Sequence, residues 1–340
     1  MGSKVDPIAL AEKVFAILSS GSFSSTYKYA LLLAIIDLCI EKVGRKRLPG
    51  ESVTITTHEL AEQVVELYWP QCAPWDDEVL RQGGGSGEQA KILRSIAGFR
   101  ARLQGTKSPS LYLAKRDFPG EYLRLIQDVE WVLIEMPIPR LQRVASQEHR
   151  FLYDHACDGA KKSHVARYQR GEPSEFDNLL KLRPGVADGL VALNAVLRPI
   201  IQRDWLRDVQ RRNKLGEADL EDFFFGRERE SLKKVRVPLL QIQSGRCFFC
   251  DAKVADLPEV DHFLPWARFP TNLVENLVVA HASCNGSKSD FLASGRHVIN
   301  WTARAKTRQG VLEKIGTDYG LGSDGPRIVK VAAVIYGQLP

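Results

Sequence analysis

Two pairs of metal-type ligands constrain this chain more than any other feature. Cys247-Phe-Phe-Cys250 and His281-Ala-Ser-Cys284 each set a pair of donors across two intervening residues. Such a pair grips one side of a tetrahedral zinc ion, and two pairs close the coordination. The chain must therefore fold back so that the two pairs meet. Between and just beyond them stand Glu259-Val-Asp261-His262, Glu275-Asn276-Leu277 and Asn285-Gly-Ser-Lys288. A carboxylate beside an imidazole sets a hard divalent cation next to a base.

The 340 residues suffice for two domains and a sizeable core. With 44% hydrophobic and 26% charged residues, the composition is that of an ordinary soluble globular protein. A net charge of +6 suits a polyanionic partner. Cys39, Cys72 and Cys157 stand alone and read as small buried hydrophobes, with no disulfide framework. The opening Met1-Gly-Ser-Lys-Val-Asp lacks the Ser or Thr of a myristoylation signal, and no secretory signal is visible. A cytoplasmic protein is expected.

Taken in order, residues 7–18 space their apolar side chains as an amphipathic helix, which the Ser-rich stretch Ser19–Ser25 breaks. A membrane span needs about 20 apolar residues. The run Tyr27–Glu41 is shorter and carries Asp37, so it reads as a buried core helix. Glu51–Thr56 alternates like a short strand, and Thr56-Thr-His-Glu59 has the capping-box pattern of a helix that runs to Trp69. That step belongs either to a winged-helix fragment or to a helical core. Gly83–Gly87 lacks the Lys-Ser or Lys-Thr of a phosphate cradle, which excludes a nucleotide site. The helix expected over 88–103 presents Lys91, Arg94, Arg100 and Arg102, as a solvated or a phosphate-contacting face.

Residues 128–143 read as a strand or two, beginning with Val129–Ile134, with a turn at Met136–Pro139. The spacing of His149, His155 and His164 fits no shared helix face and points to surface or structural roles. Helical pattern returns from Val186 to Val209. Arg203–Lys214 carries five basic residues (203, 207, 211, 212, 214) against two acids (204, 208), as a nucleic-acid-tracking or an ordinary exposed helix. Leu215–Arg229 reads as an acidic-aromatic connector, and Ser231–Gln243 as a basic amphipathic helix entering the first knuckle. Beyond Cys284 a helix is expected to about Leu292, another over 297–315, and an apolar packed segment over Pro326–Tyr336.

The ordered set of Cys-x-x-Cys, Asp-His, Glu-Asn-Leu and Cys-Asn-x-x-Lys resembles the HNH endonucleases, the ββα-metal nucleases, in the subgroup with a zinc knuckle around the active site. The resemblance spans about residues 240–305. It implies a first strand carrying Val260-Asp261-His262, a loop holding Asn276, a second strand Leu277–Ala280, and a helix from about Ser283 bearing Asn285 and Lys288. Structural zinc would be held by Cys247, Cys250, His281 and Cys284, with His281 where the subgroup usually has cysteine. His262 would be the general base. Asp261 and Asn285 would hold Mg2+ or a similar divalent cation, and Asn276 would tie the loop and orient the imidazole. Lys288 would contact phosphate or cap the local charge. The expected products are 5′-phosphate and 3′-hydroxyl ends. Four zinc ligands by themselves fit a purely structural ribbon, but the resemblance also gives positions to the intervening polar residues.

The expected architecture is mainly α with small β elements over residues 1–220, as a substrate-recognition, regulatory or partner-binding domain. The ββα-metal fold with its zinc knuckle would occupy 221–315, and a packing tail 316–340. The expected partner is nucleic acid, DNA favoured over RNA, with Arg211, Arg212, Lys214 and Arg304 as backbone contacts. A homodimer or partner protein through the N-terminal domain is the further expectation. The function class that the resemblance implies is a DNA endonuclease, expected in bacterial restriction or anti-phage defence. The alternatives are an RNA-cleaving effector with the same centre and a non-catalytic zinc-stabilised binding module.

Overall fold

The computed structural model describes residues 5–19, 24–43, 50–83, 88–103, 110–144, 147–216, 220–225, 229–255 and 257–338. It divides into two compact units, Met1–Phe224 and Phe225–Pro340. In the first, α1 (Pro7–Ser19), α2 (Tyr27–Lys42), β1 (Thr54–Thr56), α3 (Thr57–Tyr68), α4 (Lys91–Arg102), α5 (Leu111–Asp117), α6 (Pro119–Glu135) and α7 (Pro137–Arg140) lead to three short strands. These are β2 (Arg143–Val144), β3 (Gln147–Glu148) and β4 (Tyr153–Asp154); α8 (Lys162–Gln169), β5 (Leu179–Leu182) and the long α9 (Val186–Asn213) follow. A short α10 (Glu221–Phe225) runs across the division, with Phe225 the first residue of the second unit. Antiparallel strands in the order β1-β5-β4 make a small sheet.

The first unit is organised around α2, which is apolar nearly all round and therefore has no solvent face to give up. It packs against α3 and α9, while α3 and α4 pack on α6. Asp37, in the middle of α2, is buried and forms a close ion pair with Arg198 of α9, whose Nε also donates to Asn194 Oδ1 (3.1 Å). Gln63 of α3 approaches the other Asp37 oxygen at 3.5 Å. Lys28 Nζ donates to the Leu18 carbonyl (2.8 Å) and so closes the C-terminal end of α1. The capping box is formed: Glu59 N–H donates to Thr56 Oγ1 (3.1 Å) and Thr56 N–H to Glu59 Oε2 (2.8 Å). Burial pushes the Cys72 and Cys157 thiols up to about 12, which keeps them unreactive.

The second unit runs α11 (Arg229–Ile242), β6 (Glu259–His262), β7 (Leu277–Ala280), α12 (Ala282–Lys288), α13 (Gly295–Thr307), α14 (Gln309–Tyr319) and α15 (Gly325–Tyr336). The ribbon β6–β7 is antiparallel, with Asp261 opposite Val278 and His262 opposite Leu277. Its core joins Leu232, Val235 and Leu239 of α11 to Leu277 and Val279 of β7 and to Leu312 and Ile315 of α14. Phe263 stacks on Trp301 at 4.7 Å between centroids. Among the described residues no helix is long and apolar enough to cross a membrane.

Several sequence expectations are corrected. Val129–Ile134 is helical, as part of α6. The buried set Tyr122, Leu125, Ile126, Val129, Val132 and Leu133 has helical spacing, and Pro119 opens the helix; packing overrides the strand preference of its β-branched residues. The helix after Cys284 ends at Lys288, not near Leu292, because Ser289 enters the left-handed φ region at 45°. The single helix over 297–315 is two, α13 and α14, broken at Arg308. The glycines at 84–87 and parts of the connector, residues 217–219 and 226–228, lie outside the described residues.

Removing one member of a buried ion pair leaves the other uncompensated, at a cost of about 3–5 kcal/mol. Arg198→Ala is expected to destabilise the protein by about that amount in urea denaturation followed by circular dichroism. The double variant Asp37→Leu/Arg198→Met is expected to recover most of the loss. A loss below about 1 kcal/mol for Arg198→Ala would show that the pair does not hold α2 to α9.

Candidate metal centre and active site

The first knuckle is a tight turn. Asp251, at φ 59°, donates its N–H to the Cys247 carbonyl (2.9 Å), and Cys247 N–H donates to the Ala252 carbonyl (2.9 Å). Phe248 N–H donates to the Val279 carbonyl (3.0 Å). The Gln243 amide takes both backbone groups of Val279, donating at 2.8 Å and accepting at 2.9 Å. The knuckle is thereby sewn to β7. His281 follows β7 directly as the residue before α12, and Cys284 sits in that helix's first turn.

The ligand atoms of Cys247, Cys250, His281 and Cys284 all lie within 4.8 Å of one another. His281 Nδ1 is 3.4 Å from Cys250 Sγ and 3.9 Å from Cys284 Sγ. These are edge lengths suited to a tetrahedron whose arms are about 2.0–2.3 Å. His281 Nε2 faces the Lys253 carbonyl at 3.2 Å. A carbonyl only accepts, so the proton is on Nε2 and Nδ1 offers its lone pair inward, the outer support typical of a metal-bound histidine. Burial acts to raise the Cys247 thiol, but the N–H groups of Cys250, His281 and Phe249 outweigh it and bring the thiol down to about 7. Burial and the neighbouring thiols push Cys284 up to about 11. Donor chemistry and spacing fit a Cys3His structural zinc site.

The second constellation straddles β6 and α12. Strand side chains alternate, so Glu259 and Asp261 share one face of β6. Asn285 and Lys288 of α12 meet that face: Asn285 Nδ2 donates to Glu259 Oε2 (2.7 Å), and Lys288 Nζ pairs with Asp261 Oδ2 (2.9 Å). Lys288 also donates to the His262 carbonyl (2.9 Å). Asp261 is 1% and Lys288 9% exposed, so this ion pair is largely out of water. At the end of β6, His262 is fully buried, with its ring 5.0 Å from that of Trp266 and its Nε2 2.9 Å from Asn272 Oδ1. Trp266 Nε1 donates to the Phe225 carbonyl. Asn276 binds the backbone on both sides of Leu264, accepting at 2.8 Å and donating at 3.2 Å, and so closes the loop that follows His262.

Behind the site, the buried Glu275 is a junction. Its carbonyl accepts from Trp301 Nε1 and Arg304 Nη2, both at 2.7 Å, while its carboxylate accepts from Ser323 Oγ and from Asp324 N–H. Arg304 is thus an interior residue, 8% exposed and lowered to about 10 by burial against the pull of Glu275. The expectation that it contacts a nucleic-acid backbone is corrected on that ground: its guanidinium is spent on the loop that carries Asn276. Arg212 turns inward to Asp208 (3.0 Å) and the Ser24 carbonyl (3.1 Å), whereas Arg211 and Lys214 are exposed.

Asn272, Trp266 and Gln243 carry no signal at the level of sequence, since none stands inside a knuckle or beside the Asp-His step, while Glu259 stands in the Asp-His stretch with no role assigned to it there. His297 packs between Ser294 Oγ (3.0 Å) and the Phe249 carbonyl (2.9 Å). In the first unit, Glu148, His155 and Asp158 also cluster. There Arg150 already binds both acids, at 2.7 and 2.8 Å. His155 Nδ1 accepts from Cys157 N–H (3.1 Å), which leaves a proton rather than a lone pair on Nε2. The positive charge that a cation would supply is supplied by Arg150.

Residues 8–224 match the family described as a domain of unknown function, DUF8808, and residues 247–294 match the HNH endonuclease family. No curated protein and no solved structure matches the chain. The second match begins at the first zinc ligand and takes in the other three, together with Asp261, His262, Asn276, Asn285 and Lys288. The chain belongs to the DUF8808 family, a domain of unknown function, and joins to it an HNH endonuclease domain.

Proposed function

We propose that this protein is a divalent-metal-dependent endonuclease that hydrolyses phosphodiester bonds in DNA, and that residues 247–294 with their flanking helices are its ββα-metal unit. The observation that carries this reading is the convergence of Asp261, Asn285 and Lys288 on one face of the β6–α12 pair, beside an imidazole held by Asn272. A structural ribbon needs none of these four. Residues 1–220 serve to select or position substrate, regulate, or bind a partner; 221–315 hold the nuclease; 316–340 pack behind it. This layout, a family-specific region followed by an HNH unit, supports a setting in bacterial restriction or anti-phage defence.

Asn272 Oδ1 accepts, which puts the His262 proton on Nε2 and makes Nδ1, itself buried in this structure, the atom that would serve as base. Asn276 acts as a positioning residue: by fixing Leu264 it fixes the backbone next to the imidazole. Asp261 and Asn285 offer hard oxygen donors, with Glu259 as a third on the same face, and these are the residues that would hold Mg2+. An ammonium already pairs with Asp261 at 2.9 Å, so this carboxylate sits in surroundings built to receive positive charge. When bound, the cation supplies charge neutralisation at the scissile phosphate and at the leaving 3′ oxygen. Lys288 caps the local charge by pairing with Asp261. A single centre cuts one strand, so a double-strand break takes two copies or successive nicks.

Two measurements test this reading. Supercoiled plasmid with Mg2+ is expected to be nicked by the wild-type chain, and His262→Ala is expected to lower the rate by about 10²–10⁴-fold with zinc content unchanged. Cleavage that survives the substitution would overturn the role of His262. Cleavage of matched RNA and not DNA would replace DNA as substrate, and zinc-replete protein that cuts neither would favour a non-catalytic module. Elemental analysis is expected to find one zinc per chain, lost in Cys250→Ser/Cys284→Ser. Chelation is expected to open the second unit to protease while Met1–Phe224 stays resistant. Full retention of protease resistance without zinc would show that the helices suffice to hold the ribbon.

A further inference from the structure

The C-terminal half of α9 carries a feature that the site in the second unit does not use. Arg203, Arg207, Arg211 and Lys214 are all exposed, and their spacing of four, four and three residues puts them on one face of the helix. Between them, Trp205, Asp208 and Val209 point into the core. The two acids of the segment pair with Arg203 and Arg211, and the five basic residues still outnumber them. Asp208 is 5% exposed and is shared by Arg211 and the inward-turned Arg212, which leaves the Arg211 side chain 78% exposed. Asp204 pairs with Arg203 (3.2 Å). Arg207 has no ion pair among the described residues. At the end of the helix Arg81 adds a fifth cation, its Nη2 donating to the Arg212 carbonyl (3.3 Å).

We propose that this stripe of α9 is a docking surface for the phosphate backbone of a nucleic-acid duplex, outside the nuclease centre. The proposal rests on the nuclease reading above for its choice of partner, and on charge complementarity for the surface. From Arg203 to Lys214 the helix axis advances roughly 16 Å. One DNA strand covers that distance in about five steps of 3.4 Å. The cations can thus follow consecutive phosphates, and since guanidinium and ammonium read phosphate without reading bases, the contact is independent of sequence. Its role is to hold substrate on the DUF8808 unit while the HNH unit cuts. The expectation for Arg211 and Lys214 is kept in this form; Arg212 and Arg304 leave the set, and Arg203, Arg207 and Arg81 enter it.

The test is binding of a fluorescent DNA duplex to full-length, zinc-replete His262→Ala protein, titrated over a range of salt. In this background, Arg203→Gln/Arg207→Gln/Arg211→Gln/Lys214→Gln is compared with a control of equal charge change at α8, Lys161→Gln/Lys162→Gln/Arg167→Gln/Arg170→Gln. The stripe variant is expected to bind at least about tenfold more weakly at low salt, with the slope of log K against log salt shallower by roughly 2–4, since each phosphate no longer neutralised removes about 0.9 from it. Arg207→Gln alone, which disturbs no ion pair among the described residues, is expected to lower the slope by about 0.9. The control is expected to change affinity less than about threefold. If stripe and control variants bind alike, or the parent does not bind duplex at low salt, the proposal is overturned. Plasmid nicking by the wild-type chain is read in parallel. Nicking with no effect of the stripe removes the docking surface and leaves the nuclease; binding through the stripe without nicking does the reverse.

Discussion

A ribbon of two four-residue strands is not stable by itself in water, and every group of the candidate site depends on what holds β6 against β7. Three different devices do so. The zinc ligands lock the outer end, because His281 and Cys284 follow β7 without a break while Cys247 and Cys250 are bonded to its edge through Phe248 and Gln243. Asn276 closes the inner end by standing in for a strand neighbour of Leu264. Leu277 and Val279 then anchor the ribbon to α11 and α14. Metal binding in such a motif is folding free energy.

Two buried ion pairs lie in different settings. Asp37 and Arg198 sit at helix–helix contacts between apolar neighbours, so the pair fixes the register of α2 against α9 and has no outlet to solvent. Asp261 and Lys288 are buried too, but on a surface strand and a helix of barely two turns, beside Glu259 and Asn285. A pair placed there costs desolvation without securing much packing. The two pairs therefore stand in different surroundings, one among packed helices and the other between a short strand and a short helix.

Glu275 illustrates how far the support of the site reaches. Trp301 and Arg304 of α13 bind its carbonyl, and the turn into α15 binds its carboxylate. Both helices therefore converge on the residue next to Asn276. The basic residues of α13 divide accordingly, with Arg304 interior and Lys306 exposed. Charge counted along a sequence says nothing about that division.

The knuckles, the Asp-His step and the following asparagines were legible because ligand spacing is a local property, fixed by how far a Cys-x-x-Cys turn reaches. The capping box at Thr56 and the buried character of α2 were legible for the same reason: each is decided within one helical turn or one helix face. The segment Val129–Ile134 was misread because its β-branched residues favour a strand locally, while the helical period is set by contacts with α3 and α4. By itself, the sequence determined which residues are able to ligate zinc, hold a hard cation or accept a proton. Only the tertiary structure decided that Asn272 orients His262, that Lys288 neutralises Asp261, and that Arg304 is interior while Arg203, Arg207, Arg211 and Lys214 form one exposed stripe. Side-chain type is written in the chain, but burial and partnership arise only when distant segments pack.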